Sequence, residues 1–470
     1  MKKLMKKWNK YKTEIMTGLL RMIIYCLLAA LFFGLMAINN WQIRHMSRTL
    51  ASMVLTYVAM SFAMHAVYGG YAVGKKKSKP IISSMSLATL GTDLVTYVQL
   101  QIMNVNEAMN DTLVLFGADF PWLLLCMLLQ VILIIFWVRL GNNFYFTINP
   151  PKRCLVILGN KLEKEAICSK IGVYRLQWKV ERVIMWGDPR IKKAIHRTEV
   201  VFLGSSIPTE AKLDILQTCY ELHRDVLCKA QLQDIMISNA TQTVVDDAPF
   251  LEMTYAKMTL GQRMAKRTID IGFSALVLLV LSPVLVLIGI CIKLEDGGPV
   301  VFRQKRMTVG GKEFWIRKFR SMKVNADGMA PPVSAAQDDP RITKVGKVLR
   351  RFRLDELLQF WNILKGDMTV VGPRPEMLEN IHKYKQDLPA FAYREKMKAG
   401  LTGYAQIEGR YNTTPEDKLM LDMMYIESFS IWLDIKLMFR TITVFFKKDS
   451  TQGFDNTAVQ DDTTTPPMEA

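Results

Sequence analysis

Two adjacent carboxylates, Asp355 and Glu356, stand at a sharp change of composition. Arg350, Arg351 and Arg353 precede them, and Leu357, Leu358, Phe360, Trp361, Ile363 and Leu364 follow. Arginines near a carboxylate depress its pKa and keep it ionised, which suits a nucleophile or a magnesium ligand better than a general acid. Magnesium in turn neutralises phosphate charge during attack. From Phe302 to Gly372 the chain is dense in cations, with Arg303, Lys305, Arg306, Lys312, Arg317, Lys318, Arg320 and Lys323 before the pair and Arg341, Lys344 and Lys347 completing the set. Any one of them reads most simply as solvated surface charge, and only the carboxylate pair at a charged-to-apolar boundary resists that reading. Downstream, Val371-Gly372-Pro373-Arg374-Pro375-Glu376 sets two prolines around one arginine, fixing the backbone so that Arg374 is a plausible diphosphate clamp.

The rest of the chain must place this block. Its 470 residues are 50% hydrophobic and 22% charged, which excludes a wholly disordered, collagen-like or small disulfide-stapled protein. A mean hydropathy of +0.12 at that charge content requires apolar residues in blocks, as in a membrane protein with soluble parts. The 61 Lys and Arg against 43 Asp and Glu, a net charge of +18, suit an anionic membrane face and phosphorylated substrates; the apolar blocks favour the membrane over nucleic acid. Seven cysteines without a CxxC pair and five scattered histidines signal neither a disulfide framework nor a zinc site, so a metal would be held by carboxylates and phosphates.

Lys2, Lys3, Lys6, Lys7, Lys10 and Lys12 precede an apolar run from Ile15 to Ile38, which is longer than a secretory signal core and lacks a small-residue cleavage site. A second run, Leu50 to Val73, ends in Lys75, Lys76, Lys77 and Lys79, so basic clusters bracket the pair and put both of its ends on the cytoplasmic side. Ile81 to Met103 is a weaker span and Phe120 to Leu140 a strong one, giving four spans within residues 1–149 and both termini of the bundle in the cytoplasm. Arg21 lies near enough to a span end to snorkel, and Asp93 is expected to be satisfied by neighbouring Ser and Thr.

Over residues 150–250 the apolar runs shorten to strand length (CLVILGN, VERVIMWGD, EVVFLGSS, RDVLCKA) and alternate with helix-like stretches, the pattern of a small parallel α/β domain. Gly159 could open a nucleotide loop, but GxGxxG is absent, so a structural or regulatory role is the better expectation. A connector over 251–262 leads to a fifth apolar run, Ile269 to Ile292. Cations flank it on both sides and Ser282-Pro283 interrupts it, which favours a re-entrant helix-break-helix over a plain span. Tyr425 to Lys448 mixes aromatic and basic residues as an interfacial helix or a core helix would, and residues 451–470 read as a disordered tail.

The ordered segments KRTIDIGFSALVLLVLSPVLVLI, GGPVVFRQKRMTVGGKEFWIRKFRSM, DPRITKVGKVLRRFRLDELLQFWNILKGDMTVVGPRPE, AGLTGYAQIEGR and LDMMYIESFSIWLDIK resemble the bacterial sugar transferase family, the monotopic polyprenyl-phosphate glycosyl-1-phosphate transferases. The resemblance covers residues 263–448. It implies a fold of a four-span α-helical bundle, a small Rossmann-like α/β domain, and an α-rich monotopic catalytic domain over 263–450 with a re-entrant membrane helix. It also implies transfer of sugar-1-phosphate from a UDP-sugar to undecaprenyl phosphate on the cytoplasmic face of a bacterial inner membrane, with release of UMP and the help of Mg2+. Under it, Asp355 attacks the sugar-bearing phosphate, forms a phosphosugar-aspartate and contacts magnesium, while Glu356 positions or assists the second step. Lys318, Arg320, Arg350 and Arg374 hold phosphates, and Ser282-Pro283 is the break of the re-entrant helix. Membrane lipid is the further partner, nucleic acid is not one, and a homo-oligomer stays open. Leu358 and Ala399 stand where the family usually has proline, and neither change touches a reacting group. Two other readings stay open: a glycosyl transferase that releases UDP, and a membrane regulator whose catalytic half is inactive.

Overall fold

A computed structural model describes residues 2–107, 114–253, 258–323, 341–409 and 413–444. These residues form two compact units, divided in the sequence between Lys229 and Ala230.

The first unit opens with helices α1 (Lys2–Met36), α2 (Arg48–Tyr68), α3 (Ser78–Glu107) and α4 (Phe120–Ile148). Within them Thr13–Met36, Arg48–Tyr68, Ser78–Asn104 and Phe120–Ile148 are each long and apolar enough to cross a membrane. Helix α2 starts where the Ser47 hydroxyl accepts from the Leu50 amide at 3.0 Å, and Pro121 sits in the first turn of α4, where its missing donor costs nothing. Asp93 is fully buried, and its partner differs from the expected one. Thr92 and Thr96 donate to the carbonyls of Ala88 and Thr92, each at 2.9 Å, while the Gln130 amide on α4 donates to Asp93 at 3.4 Å. Threonines on the same helix satisfy themselves one turn back, so the carboxyl finds its partner across the bundle.

After α4 come β1 (Lys152–Leu158), α5 (Glu163–Gly172), β2 (Trp178–Met185), α6 (Ile191–Arg197), β3 (Val200–Leu203), α7 (Thr209–Glu221) and β4 (Asp225–Cys228). The four strands form a parallel sheet in the order β2-β1-β3-β4. Leu155 and Ile157 of β1 pack with Ile195 and Ile215, whereas Val156 and Leu158 pack with Ile167 and Ile171 on the other face. Burial on both faces explains why β1 reads as an unbroken apolar run.

The second unit begins with α8 (Leu232–Ile237) and a hairpin of β5 (Thr241–Val245) and β6 (Ala248–Glu252). The sequence reading groups these elements with the α/β layer. Packing instead puts Ile235 in the same core as Phe314, Phe360, Phe391 and Met423, so the compact units part about twenty residues earlier than the change in composition. Helices α9 (Leu260–Val280) and α10 (Ser282–Asp296) follow, bent by 61° at Leu281. The Ser282 hydroxyl donates to the Leu279 carbonyl at 2.8 Å, and Pro283 brings no amide to continue the ladder.

Strands β7 (Val301–Met307) and β8 (Glu313–Phe319) pair antiparallel. Then come α11 (Lys344–Arg351), a single turn at Leu354–Glu356, α12 (Gln359–Lys365), β9 (Thr369–Val371), α13 (Leu378–Asp387), β10 (Gly400–Thr402), α14 (Tyr404–Glu408), α15 (Pro415–Glu427) and α16 (Ile431–Val444). The segment read as one helix from Tyr425 is thus two helices, with Leu437 buried in the core and Trp432 exposed. Phe445, Lys447, Lys448, part of the connector (254–257) and the 451–470 tail lie outside the described residues.

Helix α9 is held to this unit by polar groups. Asp270 accepts from the Thr369 hydroxyl at 2.9 Å and the Val370 amide at 2.8 Å. Lys266 donates to the Val371 carbonyl at 2.8 Å and pairs with Asp434, whose other oxygen accepts from the Tyr425 hydroxyl at 2.7 Å. Arg267 caps the end of α12 by donating to the carbonyls of Ile363 and Leu364 at 2.6 and 2.7 Å.

Candidate active site

The carboxylate pair sits on the Leu354–Glu356 turn between α11 and α12. Helix α11 starts at a Thr343 cap, with Glu295 of α10 accepting from the Lys344 amide at 2.7 Å, and ends at Phe352. The next residue, Arg353, takes a left-handed backbone (φ 53°), which reverses the chain into the turn. Such a conformation in a residue with a side chain costs free energy that packing must offset, and it occurs preferentially at functional sites.

Three cations converge on Glu356. Lys318, delivered by β8, donates to Oε1 at 3.0 Å; Arg374, delivered by the loop after β9, lies 3.4 Å from the same oxygen; Arg353 lies 3.9 Å from Oε2. Burial works against the charge of Glu356, but Lys318, Arg374 and Arg353 outweigh it and hold the carboxyl far below the usual range. Asp355 differs. No cation lies within ion-pair distance of it among the described residues, and burial, with the charge of Glu356, pushes its pKa up while Lys318 and Arg350 pull it back. From the sequence, the flanking arginines are expected to depress the pKa of the nucleophile candidate; the depression falls instead on Glu356, where Lys318 and Arg374 from other elements act more strongly than the flanking Arg353, while at Asp355 burial prevails over Lys318 and Arg350. The arginine side chains leave the turn in different directions, and only geometry decides which carboxylate they reach.

The other residues singled out from the sequence are placed as follows. Arg350 donates through Nε to the Ser321 hydroxyl at 2.8 Å, beside the strand end that carries Lys318. Arg320 is buried and paired with Asp296 at the end of α10, so the structure sets it on the bent helix and not on the dyad. Ser282 and Pro283 lie at the bend.

Behind Arg374 stands a residue that sequence reasoning did not select. Arg394 is buried; it donates to the Arg374 backbone carbonyl at 2.8 Å, pairs with Asp422 at 2.7 Å, reaches Glu376 at 4.0 Å and covers the Phe391 ring. Lys418 closes the group on Glu376 at 2.8 Å. Nothing local in the sequence marks Arg394, because its partners come from positions 374, 376 and 422. Ala399 also has a local reason to differ from proline: its amide donates to the Thr308 hydroxyl at 3.1 Å, a bond that proline could not make.

No group of three or more His, Cys, Asp or Glu converges among the described residues. A magnesium ion that keeps water and substrate phosphate ligands needs only one or two carboxylates, and Asp355, not gripped by any cation, fits that demand. A half-buried carboxylate beside a second one can attack phosphorus or hold a cation, while a lysine and two arginines crossing the same space can bind a diphosphate.

Comparison with known proteins gives a consistent picture. The family described as Bacterial sugar transferase matches residues 261–448. A UDP-glucose:undecaprenyl-phosphate glucose-1-phosphate transferase of Escherichia coli (strain K12) is 44% identical over 46% of this chain and 49% of its own length. A UDP-N-acetylgalactosamine-undecaprenyl-phosphate N-acetylgalactosaminephosphotransferase of Aeromonas hydrophila is 41% identical over 38% of this chain and 42% of its own length. A UDP-glucose:undecaprenyl-phosphate glucose-1-phosphate transferase of Caulobacter vibrioides is 39% identical over 40% of this chain and 72% of its own length. The first two matches span slightly less than half of those relatives.

Proposed function

Since this chain belongs to the bacterial sugar transferase family, we propose that it transfers sugar-1-phosphate from a UDP-sugar to undecaprenyl phosphate and releases UMP, as the first step of exopolysaccharide or capsule assembly. The observation that carries the reading is the division of labour in the dyad: Glu356 is gripped by Lys318, Arg353 and Arg374, and Asp355 beside it is not.

In this mechanism an Asp355 carboxylate oxygen attacks the phosphorus that bears the sugar. The bond from that phosphorus to the oxygen bridging to the uridylyl phosphate breaks, and UMP leaves. An oxygen of undecaprenyl phosphate then attacks the same phosphorus, displaces the Asp355 carboxylate and leaves a lipid diphosphate sugar. Lys318 and Arg374 hold the charge of the diphosphate, and Glu356 fixes both cations in place. Asp355 would also hold Mg2+ brought in with the donor; when bound, that ion supplies neutralisation of phosphate charge.

The membrane arrangement belongs to the same proposal. The four apolar helices cross the inner membrane with both ends of the bundle in the cytoplasm, and α9 and α10 form a re-entrant element whose break lets the dyad face cytoplasmic nucleotide sugars. The 61° bend and the basic residues at both ends of the pair support this. The parallel sheet is a Rossmann-like layer used for structure or regulation. In support, the Glu163 carboxylate fills the turn at the ends of β1 and β3, accepting from the amides of Gly159, Ser205 and Ser206 at 3.3, 2.9 and 3.2 Å, where a Rossmann layer would seat a phosphate.

The test is the nucleotide released when full-length protein meets magnesium, undecaprenyl phosphate and a panel of UDP-sugars, with Asp355→Asn alongside. UMP from the wild type alone supports the proposal and names the sugar. UDP means glycosyl transfer, and no nucleotide from folded protein means the inactive regulator.

A further inference from the structure

Away from the dyad, the second unit contains a cavity of about 780 Å3. None of the residues that grip Glu356 lines it; its walls come from α8 and the turn after it, the first turns of α9, the 396–398 segment and the end of α15. The lining has two kinds of side chain. Met236, Met253, Met258, Met397 and Phe429 form an apolar wall, and methionine is the side chain best able to adapt to an irregular apolar partner. Against it stand Arg263, Arg267, Lys396 and Lys398, with Lys266 already neutralised by Asp434.

The acidic groups in the wall do not balance these charges. Asp270 is committed through one oxygen to Thr369 and Val370, Glu427 is the other carboxylate, and Arg267 spends its guanidinium on two neutral carbonyls. Lys398 has no hydrogen bond or ion pair among the described residues. Burial and the nearby charges of Arg267 and Lys266 push its pKa down, with Asp270 and Asp367 opposing. Excess positive charge beside an adaptable apolar wall has a chemical complement: a phosphate carried on an apolar body. Two features favour a membrane phospholipid over a nucleotide. Four methionines match acyl chains better than a base edge, and the turns of α9 that carry Arg263 and Arg267 also expose Leu260 and Met264 (74 and 63%), opening the apolar surface that runs on along the bent helix pair.

We propose that this cavity is a second anion site that binds the phosphate of an anionic phospholipid on Lys398 and Arg263, with its acyl chains against the methionine wall. The site is separate from the one that handles the reacting phosphates, and its existence does not depend on the chemistry proposed for Asp355.

The test uses full-length protein in neutral detergent, labelled with 13C at methionine methyls and titrated with dioctanoyl phosphatidylglycerol. Controls are dioctanoylglycerol, which has the chains without phosphate, and glycerol phosphate and UMP, which have phosphate without chains. The expected result is saturable shifts of Met258 and Met397 with the phospholipid alone, and binding weakened about tenfold in Lys398→Ala. Arg263→Ala, at an exposed position, is expected to weaken binding in the same direction and guards against a folding defect in the first variant; Lys398→Arg is expected to retain binding. Absence of saturable shifts, equal shifts with dioctanoylglycerol, or unchanged affinity in both alanine variants overturns the site. Shifts with UMP or glycerol phosphate alone overturn the lipid in favour of a soluble phosphate.

Discussion

Lys318 Nζ lies 3.0 Å from Glu356 Oε1 and pairs with no oxygen of Asp355, although the two acids are adjacent in the chain. One carboxylate of the pair is thereby fixed as a charged anchor, and the other has no ion-pair partner among the described residues. The contact joins Lys318 on β8 to Glu356 on the Leu354–Glu356 turn, two elements distant in the sequence.

The first prediction concerns pH. Asp355 is raised by burial and by Glu356, so in the proposed mechanism attack by its carboxylate should slow as pH falls through a value above the ordinary 3.8. Glu356→Gln removes a raising charge and frees Lys318 to act on Asp355. The acid limb of kcat/KM should move to lower pH while the plateau drops about 100-fold. A limb that stays in place or moves up in a pH–rate profile contradicts the assignment.

Arg394→Met should cost about 3–5 kcal/mol, because it leaves Asp422 and the Arg374 carbonyl buried without their partner. Folded protein recovered at low temperature should show a raised KM for the nucleotide sugar, as Arg374 loses its backbone support. Denaturant melts and steady-state kinetics on the same preparation check both parts.

Lys266→Met should destabilise the second unit by a similar amount, about 3–5 kcal/mol, by leaving the Asp434 carboxylate buried without its cation. The double variant Lys266→Met with Asp434→Leu should recover more than half of that loss, since the pair is removed together. A double-mutant cycle showing simple additivity would mean that the two residues do not act as a pair.

Glu163 should behave as an internal anion. Burial opposes its charge, but bonds from Ser205, Gly159 and Ser206 prevail and its pKa is lowered from 4.5. The folded value lies below the unfolded one, so its stabilising contribution is complete above the ordinary value and is lost as pH falls through the folded value. Glu163→Ala should speed amide exchange at Gly159, Ser205 and Ser206 by about 10- to 100-fold, with Glu163→Gln in between. Unchanged exchange at those amides would show that the carboxylate does not hold the turn.

The amino-acid sequence by itself determines the features that follow from local composition. Runs of more than twenty apolar residues need no tertiary information to be read as membrane-length helices, and strand-length apolar runs at regular spacing mark a parallel sheet because both faces of such strands are buried. The carboxylate pair, Arg374 between prolines and the break at Ser282-Pro283 are likewise visible in short windows. Tertiary structure alone decides which groups meet. The cations settle on Glu356 and not on Asp355, Arg320 turns to Asp296, and Asp93 takes Gln130 instead of its neighbouring threonines. Arg394 gains its role from three positions up to 28 residues away, and Ile235 joins a core whose other buried members lie beyond residue 313. Charge and hydrophobicity are carried by each residue, whereas partners depend on side-chain direction. Direction is set only when strands and helices distant in sequence pack together, because a buried charge must find its counter-charge wherever the fold brings one within reach.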